Sequence, residues 1–387
     1  MLIYIINMSD LNDFKELILE SDRTIPELKV SPSLFIDKTI AIYGPSKTGK
    51  TVIIKHIMKT VDTFIDQVLV ISPSEPSNRS YEGFVDSPFI HYRLYLADPK
   101  NPKKDDGSKG ALRFLEAVWK RQEMMAAIYT RANKKSVLRE LFSKLPSDTR
   151  HKANKHIDNL SGKKDRMIEK IKKQYMNDQG RRDEKIKEVD EKCDKILILI
   201  YKKFITPHYY DLWKQRHLTE DEKWSLNYLH FNPRLLLIFD DCSAQLKPFF
   251  NKEIFRMLFY QNRHSYITVI ISCQDDTDLP ANLRKNAFIS FFTEPIVCVS
   301  NFERSSNQFS KPVRSLVGEL VPILFKGHRK LAYIREDDSH QNFYHCQFPF
   351  PKKFRFGSPA MAELCDYVKN NGVSMDKDNP FYNKFKI

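Results

Sequence analysis

The chain has 387 residues, 41% of them hydrophobic, and 63 Lys and Arg against 49 Asp and Glu, a formal net charge of +14. That length buries a sizeable core and allows one large or two medium domains, while no apolar run reaches the roughly 18 residues that a membrane-crossing helix needs. The six cysteines (Cys193, Cys242, Cys273, Cys298, Cys346 and Cys365) are far apart and include no Cys-x-x-Cys pair, which argues against a zinc site or a disulfide framework and fits a reducing compartment.

Residues 1–38 read as an N-terminal leader, with a helix over Leu11–Glu20 and a loop carrying Pro26 and Pro32. The opening MLIYIINM has neither a basic leader nor a small-residue cleavage site, so a secretion signal is not expected. Thr39–Tyr43 is a β-branched strand, followed by GPSKTGKT and an apolar run, Val52–Val61, of helix length. Strand, glycine loop and helix in that order form a phosphate-binding Walker A motif. Gly44 and Gly49 allow a tight turn, and the backbone N–H groups of Gly44, Pro45, Ser46, Lys47, Thr48, Gly49, Lys50 and Thr51 (all but the proline) surround the anion at a helix N-terminus. Lys50 is expected on the β- and γ-phosphates of ATP, and the Thr51 hydroxyl on Mg²⁺.

Gln67–Ser72 is a second strand, stopped by Pro73, and Phe89–Tyr95 a weaker third. From about 100 to 220 the composition changes to dense Lys, Arg, Asp and Glu. Helical stretches over Gly110–Arg131 and Met167–Phe204 suggest a charged insertion, either a hairpin or short coiled coil or a solvated arm. Regular alternation resumes at Pro233. Leu235–Phe239 is an apolar strand ending in Asp240 and Asp241, a Walker B arrangement in which Asp240 is expected to hold Mg²⁺ and Asp241 to orient or deprotonate the attacking water.

Lys252–Tyr260 reads as a helix, Ile267–Cys273 and Phe288–Thr293 as strands, and Asn301–Glu319 as mostly helical. Gln274, closing a buried strand, is placed to hydrogen-bond the γ-phosphate or the lytic water. Arg263 and Arg284 flank that strand as candidate arginine fingers or structural ion-pair partners, both expected near the edge that carries the γ-phosphate. Val321–Phe325 and Lys330–Arg335 suggest a hairpin, and the tail from His345, with Pro349, Pro351, Pro359 and Pro380, mostly irregular chain. The expected fold is therefore α/β: a mostly parallel sheet flanked by helices, of the P-loop NTPase type, with its core in 39–99 and 230–340, the insertion at 100–220 and a tail from 341.

These segments together resemble the genome-packaging ATPases of nucleocytoplasmic large DNA viruses, in the FtsK–HerA branch of P-loop motors. GPSKTGKT, the Asp-Asp Walker B in LLLIFDDCS, NRHSYITVIISCQ and LPANLRKN carry the resemblance, which covers 35–100 and 230–340 but not the charged insertion. It implies an Mg²⁺-dependent ATPase that works as a homo-oligomeric ring and drives double-stranded DNA into a capsid, in the virion or at a viral assembly site in the host cytoplasm. It also implies Gln274 as γ-phosphate sensor. The net charge fits DNA bound through its phosphates without regard to sequence, with a capsid or other virion protein as a further partner. The Lys, Asn and Ile bias of an AT-rich genome gives the same charge without such selection. A helicase or other pump of the same superfamily and a nucleotide-switch scaffold are the alternatives.

Overall fold

The computed structural model describes residues 16–18, 24–92, 108–335 and 342–370. Two compact units divide it: 1–123 together with 233–387, and 124–232.

The first unit is built on an eight-stranded sheet. Its strands, after a separate antiparallel pair β1 (Glu16–Ile18) and β2 (Thr24–Pro26), are β3 (Thr39–Tyr43), β4 (Gln67–Ile71), β5 (Ile90–His91), β6 (Leu235–Asp240), β7 (Ile267–Cys273), β8 (Ile289–Phe292), β9 (Lys330–Ile334) and β10 (Phe343–Cys346). Their spatial order is β10-β9-β8-β3-β7-β6-β4-β5. The six from β8 to β5 run parallel, and β9 and β10 add antiparallel to the β8 edge.

Every residue of β3, β6 and β7 is buried, as strands covered on both faces must be, and this is why they read as continuous apolar runs. Their alternation still sorts the side chains into two layers. Ile40, Ile42, Leu236, Ile238 and Ile270 pack with Ile53, Ile54, Ile57, Met58 and Val61 of the helix Lys50–Val61. Ala41, Tyr43, Leu237, Phe239 and Ile271 pack on the other face with Phe255 and Leu258, Phe302, and Leu316 and Leu320, from three different helices.

Several expectations change. Glu16–Ile18, placed in a helix by the sequence, pairs as a strand with Thr24–Pro26; the rest of that expected helix up to 15, and 19–20, lies outside the described residues. The weak third strand is reduced to Ile90–His91, with 93–95 likewise outside. Val321–Leu324 is not a strand but the end of the helix Lys311–Leu324, which buries Leu316, Val317, Leu320 and Leu324 along one stripe. Lys330–Ile334 therefore pairs with β8 and β10. The proline-containing tail forms β10 and a helix, Pro359–Asn370, whose first residue is a proline, the position where a helix tolerates one.

The second unit is helical. Lys135–Ser143, Ser147–Gln174, Gln179–Ile205 and Glu220–Asn227 surround a core of Leu138, Leu141, Tyr201, Ile205, Leu212 and Leu226. The expected continuous helix over Met167–Phe204 is broken after Gln174, and Asp178 caps the next one by accepting from the Arg181 N–H at 3.0 Å. The helix Ser108–Ala132 begins in the first unit, where Ala111, Leu115, Val118 and Trp119 join the core.

Candidate active site

Parallel register brings three loops to one edge of the sheet. Tyr43 stands opposite Cys273, and Asp240 opposite Ser272. The chain therefore leaves β3, β6 and β7 side by side at their C-terminal ends, where open parallel sheets hold ligands.

The loop after β3 turns on left-handed residues: Gly44 at φ +150°, Lys47 at +67° and Gly49 at +96°. Gly44 has a second constraint, since a Cβ there would lie 1.9 Å from Thr293 Oγ1. Thr293, just past β8, meets Thr48 Oγ1 at 2.6 Å in a hydrogen bond that one of the two hydroxyls donates. The other is left to donate to its own carbonyl neighbour, that of Tyr43 for Thr293 or of Pro45 for Thr48. The loop is thus braced from the neighbouring strand. Lys50 Nζ, on a buried residue, donates to the carbonyls of Gly44 and Pro45, at 2.5 and 3.0 Å. Burial pulls its pKa down, against the opposing pull of Asp240 and Asp241.

Asp240 is 5% exposed, and both carboxylate oxygens are held: Oδ1 accepts from Ser272 Oγ at 2.7 Å and Oδ2 from Tyr81 Oη at 2.9 Å. Burial pushes its pKa up, and the two hydrogen bonds and Lys50 oppose that push. Tyr81 is itself fully buried, with its backbone N–H donating to Glu75 Oε1 at 2.8 Å. Glu75, also buried, has its pKa raised by desolvation, and Lys55 lies nearby with Nζ 4.3 Å from the Phe84 ring centroid. Asp241 takes a left-handed backbone, φ +52°, and accepts from Gln274 Nε2 at 2.9 Å. Gln274 and Asp275 are in turn fixed by backbone N–H bonds to Asp278 Oδ2.

The phosphate loop, Lys50, Asp240, Asp241 and Gln274 thus share one edge. Of the two arginines, Arg263 does not join them there, while Arg284 lies by the same edge, within electrostatic reach of Tyr43 and Cys273, but its guanidinium is spent on structural bonds. Arg263 is exposed in the turn Asn262–Ser265 before β7, with Nε 3.3 Å from His264 Nε2. Between it and Gln274 runs the seven-residue β7, roughly 20 Å long at about 3.3 Å per residue. The expectation that Arg263 lies near the γ-phosphate edge of its own chain is therefore corrected. Arg284 is built into the fold: its guanidinium donates to the carbonyls of Asp276 and Leu279, to Asn307 Oδ1 and to Ser306 Oγ.

Tyr81, Ser272, Glu75 and Thr293 were not among the residues singled out from the sequence. Only Ser272 gave a signal, as a polar residue near the end of an apolar strand. Mg²⁺ commonly uses one or two carboxylates and completes its shell with phosphate oxygens and water. Asp240, a buried carboxylate at that edge with burial disfavouring its charge, suits such an ion, as does the Thr51 hydroxyl one residue into the helix. Among the described residues there is no group of three or more His, Cys, Asp or Glu that could hold a metal ion.

No protein-family model matches the chain. B354L proteins of African swine fever virus are 52% identical over 367 residues in isolate Tick/Malawi and in strain Badajoz, and 51% in isolate Warthog/Namibia, in each case across 95% of this chain and 98% of the relative. Among solved structures, the genome packaging NTPase B204 from Sulfolobus turreted icosahedral virus 2 aligns in its complex with AMP at a TM-score of 0.36 and 12% identity, over 82% of this chain and 98% of that one. Its complex with AMPPCP aligns at 0.35 and 13%, over 81% and 99%.

Proposed function

The chain belongs to the family of B354L proteins of African swine fever virus, and we propose that it is an ATP-hydrolysing motor that moves double-stranded viral DNA into a capsid. The observation that carries the nucleotide chemistry is the convergence of Lys50, Asp240 and the Asp241–Gln274 pair beside a glycine-turned loop at one sheet edge. The resemblance of those segments to packaging ATPases, the viral relatives and the net charge of +14 support the DNA reading.

Each residue has a physical task in this reading. Lys50 now bonds two loop carbonyls; a triphosphate offers it negatively charged oxygens instead, which a charge-assisted bond favours. Thr51 and Asp240 would hold Mg²⁺, which when bound offsets charge on the β- and γ-phosphoryl oxygens. Asp241 accepts the proton of the attacking water, and Gln274, bonded to that carboxylate, sets its direction and can exchange that bond for one to the γ-phosphate. Arg263, at the far end of β7, would reach a γ-phosphate only in a neighbouring copy, as a ring assembly allows. Phosphate contacts from a basic surface give sequence-independent binding. Among the described residues no helix is long and apolar enough to cross a membrane, and the site of action in this reading is the virion or a viral assembly site in the host cytoplasm.

The test is ATP turnover of purified protein with and without long double-stranded DNA. Lys50→Ala and Asp240→Ala should each lose about a hundredfold or more, the scale of one preorganised electrostatic contact. Turnover near the parent's in either folded variant would reject the assignment.

A further inference from the structure

A cleft of about 200 Å³ opens beside the phosphate loop. Lys47, Thr48 and Gly49 form one wall, and His328, Lys330 and Phe350 line it from the β9–β10 side. A cleft of this size suits part of a ligand, since sites that enclose a whole drug-sized molecule run to about 300–1,000 Å³. Its position says which part. The carboxylates and Gln274 lie on β6 and β7, to one side of β3, whereas β8, β9 and β10 lie to the other. A nucleotide with its terminal phosphate toward Asp240 therefore directs its nucleoside toward the cleft.

Phe350 is 74% exposed, an unusual cost for an aromatic ring on a chain held in place. The segment that carries it is anchored: two residues earlier, Phe348 packs on the His56 ring at 4.9 Å and the Phe291 ring at 5.7 Å. Lys330 is also fixed, its Nζ donating to the Thr293 carbonyl at 3.1 Å and its stem passing over Gly49. His328 sits just after the left-handed Gly327 and is itself left-handed, at φ +64°.

We propose that this cleft is the nucleobase subsite and that Phe350 is its stacking platform. The inference rests on the phosphate-loop reading above and adds the residues that take the base. The lining holds no Asn, Gln, Asp, Glu or Arg. Of its residues that also read base edges, Lys330 already bonds the Thr293 carbonyl, and Thr48 the Pro45 carbonyl or Thr293 Oγ1. The grip is therefore on the π face, and ATP and GTP should both be accepted.

Calorimetric titration of the full chain in Mg²⁺ tests this, with a non-hydrolysable ATP analogue, its GTP counterpart and inorganic triphosphate as probes. Phe350→Ala should weaken both nucleotides about five- to a hundredfold, the usual worth of one base–aromatic stack, and leave triphosphate binding unchanged. Phe350→Trp should restore nucleotide affinity, with its indole emission quenched on binding. Lys50→Ala should weaken all three probes. If Phe350→Ala binds nucleotide as the parent does while Lys50→Ala does not, the base lies elsewhere and the subsite is overturned with the phosphate loop intact. Strong preference for one purine would overturn the stacking-only grip. Unchanged binding of every probe to Lys50→Ala would remove the phosphate-loop premise, and the subsite with it.

Discussion

Tyr81 Oη donates to Asp240 Oδ2 across 2.9 Å, joining two residues 159 positions apart in the chain. The phenol is fully buried and its backbone is tied to Glu75, so the segment after β4 fixes one oxygen of the carboxylate while Ser272 fixes the other. The orientation of Asp240 is therefore set from both neighbouring strands rather than by the Walker B strand alone.

Tyr81→Phe should slow ATP turnover with little change in fold. The ring is kept, so packing survives, and what is lost is one hydrogen bond to a charged acceptor, worth about 1.5–3 kcal/mol. We expect kcat to fall about tenfold or more at saturating Mg²⁺-ATP, with a higher Mg²⁺ requirement, both read from steady-state kinetics at varied Mg²⁺. An unchanged kcat and Mg²⁺ requirement would mean that Tyr81 serves packing only.

Asp240→Asn should abolish turnover and gain stability relative to the parent as pH rises. Burial lifts the pKa of Asp240 above its ordinary value of 3.8. A group with a raised folded-state pKa contributes stability that is fully present below the unfolded pKa and is lost as pH rises through the folded pKa. The amide keeps the shape without that titration. The Tm of Asp240→Asn minus that of the parent should therefore grow from acid toward neutral pH in nucleotide-free, Mg²⁺-free protein. A difference that shrinks with rising pH would reverse the sign argued here.

The phosphate loop and the Walker B strand were legible because their information is local: glycine spacing, a Lys-Thr pair opening a helix, and acids closing an apolar run. The parallel sheet followed from those runs, since strands buried on both faces lose the two-residue alternation. Tyr81 and Thr293 were invisible because their partners, Asp240 and Thr48, lie 159 and 245 residues away. Arg263 was misplaced for a related reason. Flanking a strand in sequence reads as proximity, yet the two ends of a strand are its most distant points. Leu316–Leu324 was only partly recovered because Pro322 argues against helix locally, while the apolar stripe that buries Leu320 and Leu324 prevails in the fold.

Gly44→Ala should damage the loop more than Gly49→Ala, although both glycines have left-handed φ. A Cβ at Gly49 meets nothing closer than the flexible Lys330 stem at 3.9 Å, whereas one at Gly44 strikes Thr293 Oγ1 at 1.9 Å. Backbone strain of this kind costs about 1–3 kcal/mol by itself, and the collision adds to it at Gly44 alone. Denaturant unfolding should rank the two variants accordingly. Thr293→Ala in the Gly44→Ala background should recover part of the loss, because contacting sites are not additive. No recovery would place the damage in backbone strain rather than in the collision.

Residues 124–232 should be removable without loss of the first unit. Gln122 Nε2 donates to the Pro233 carbonyl at 2.8 Å and to the Ser265 carbonyl at 3.3 Å, so the chain leaves and re-enters the first unit at adjoining points. A short Gly/Ser linker from Glu123 to Pro233 therefore closes the gap at small entropic cost, since loop closure grows only slowly with length. The second unit has its own core around Leu138, Leu141, Ile205 and Leu226, which should let it fold when expressed alone. The trimmed chain should unfold cooperatively and keep basal ATP turnover. Its response to double-stranded DNA should be lost if the lysine- and arginine-dense helix Ser147–Gln174 supplies the phosphate contacts, whose affinity falls linearly with log salt. Calorimetric unfolding, ATPase rate and DNA binding at two salt concentrations read the three outcomes separately. Retained DNA stimulation in a folded trimmed chain would move the DNA-contacting surface to the first unit, and failure of the trimmed chain to fold would show that the first unit needs the second.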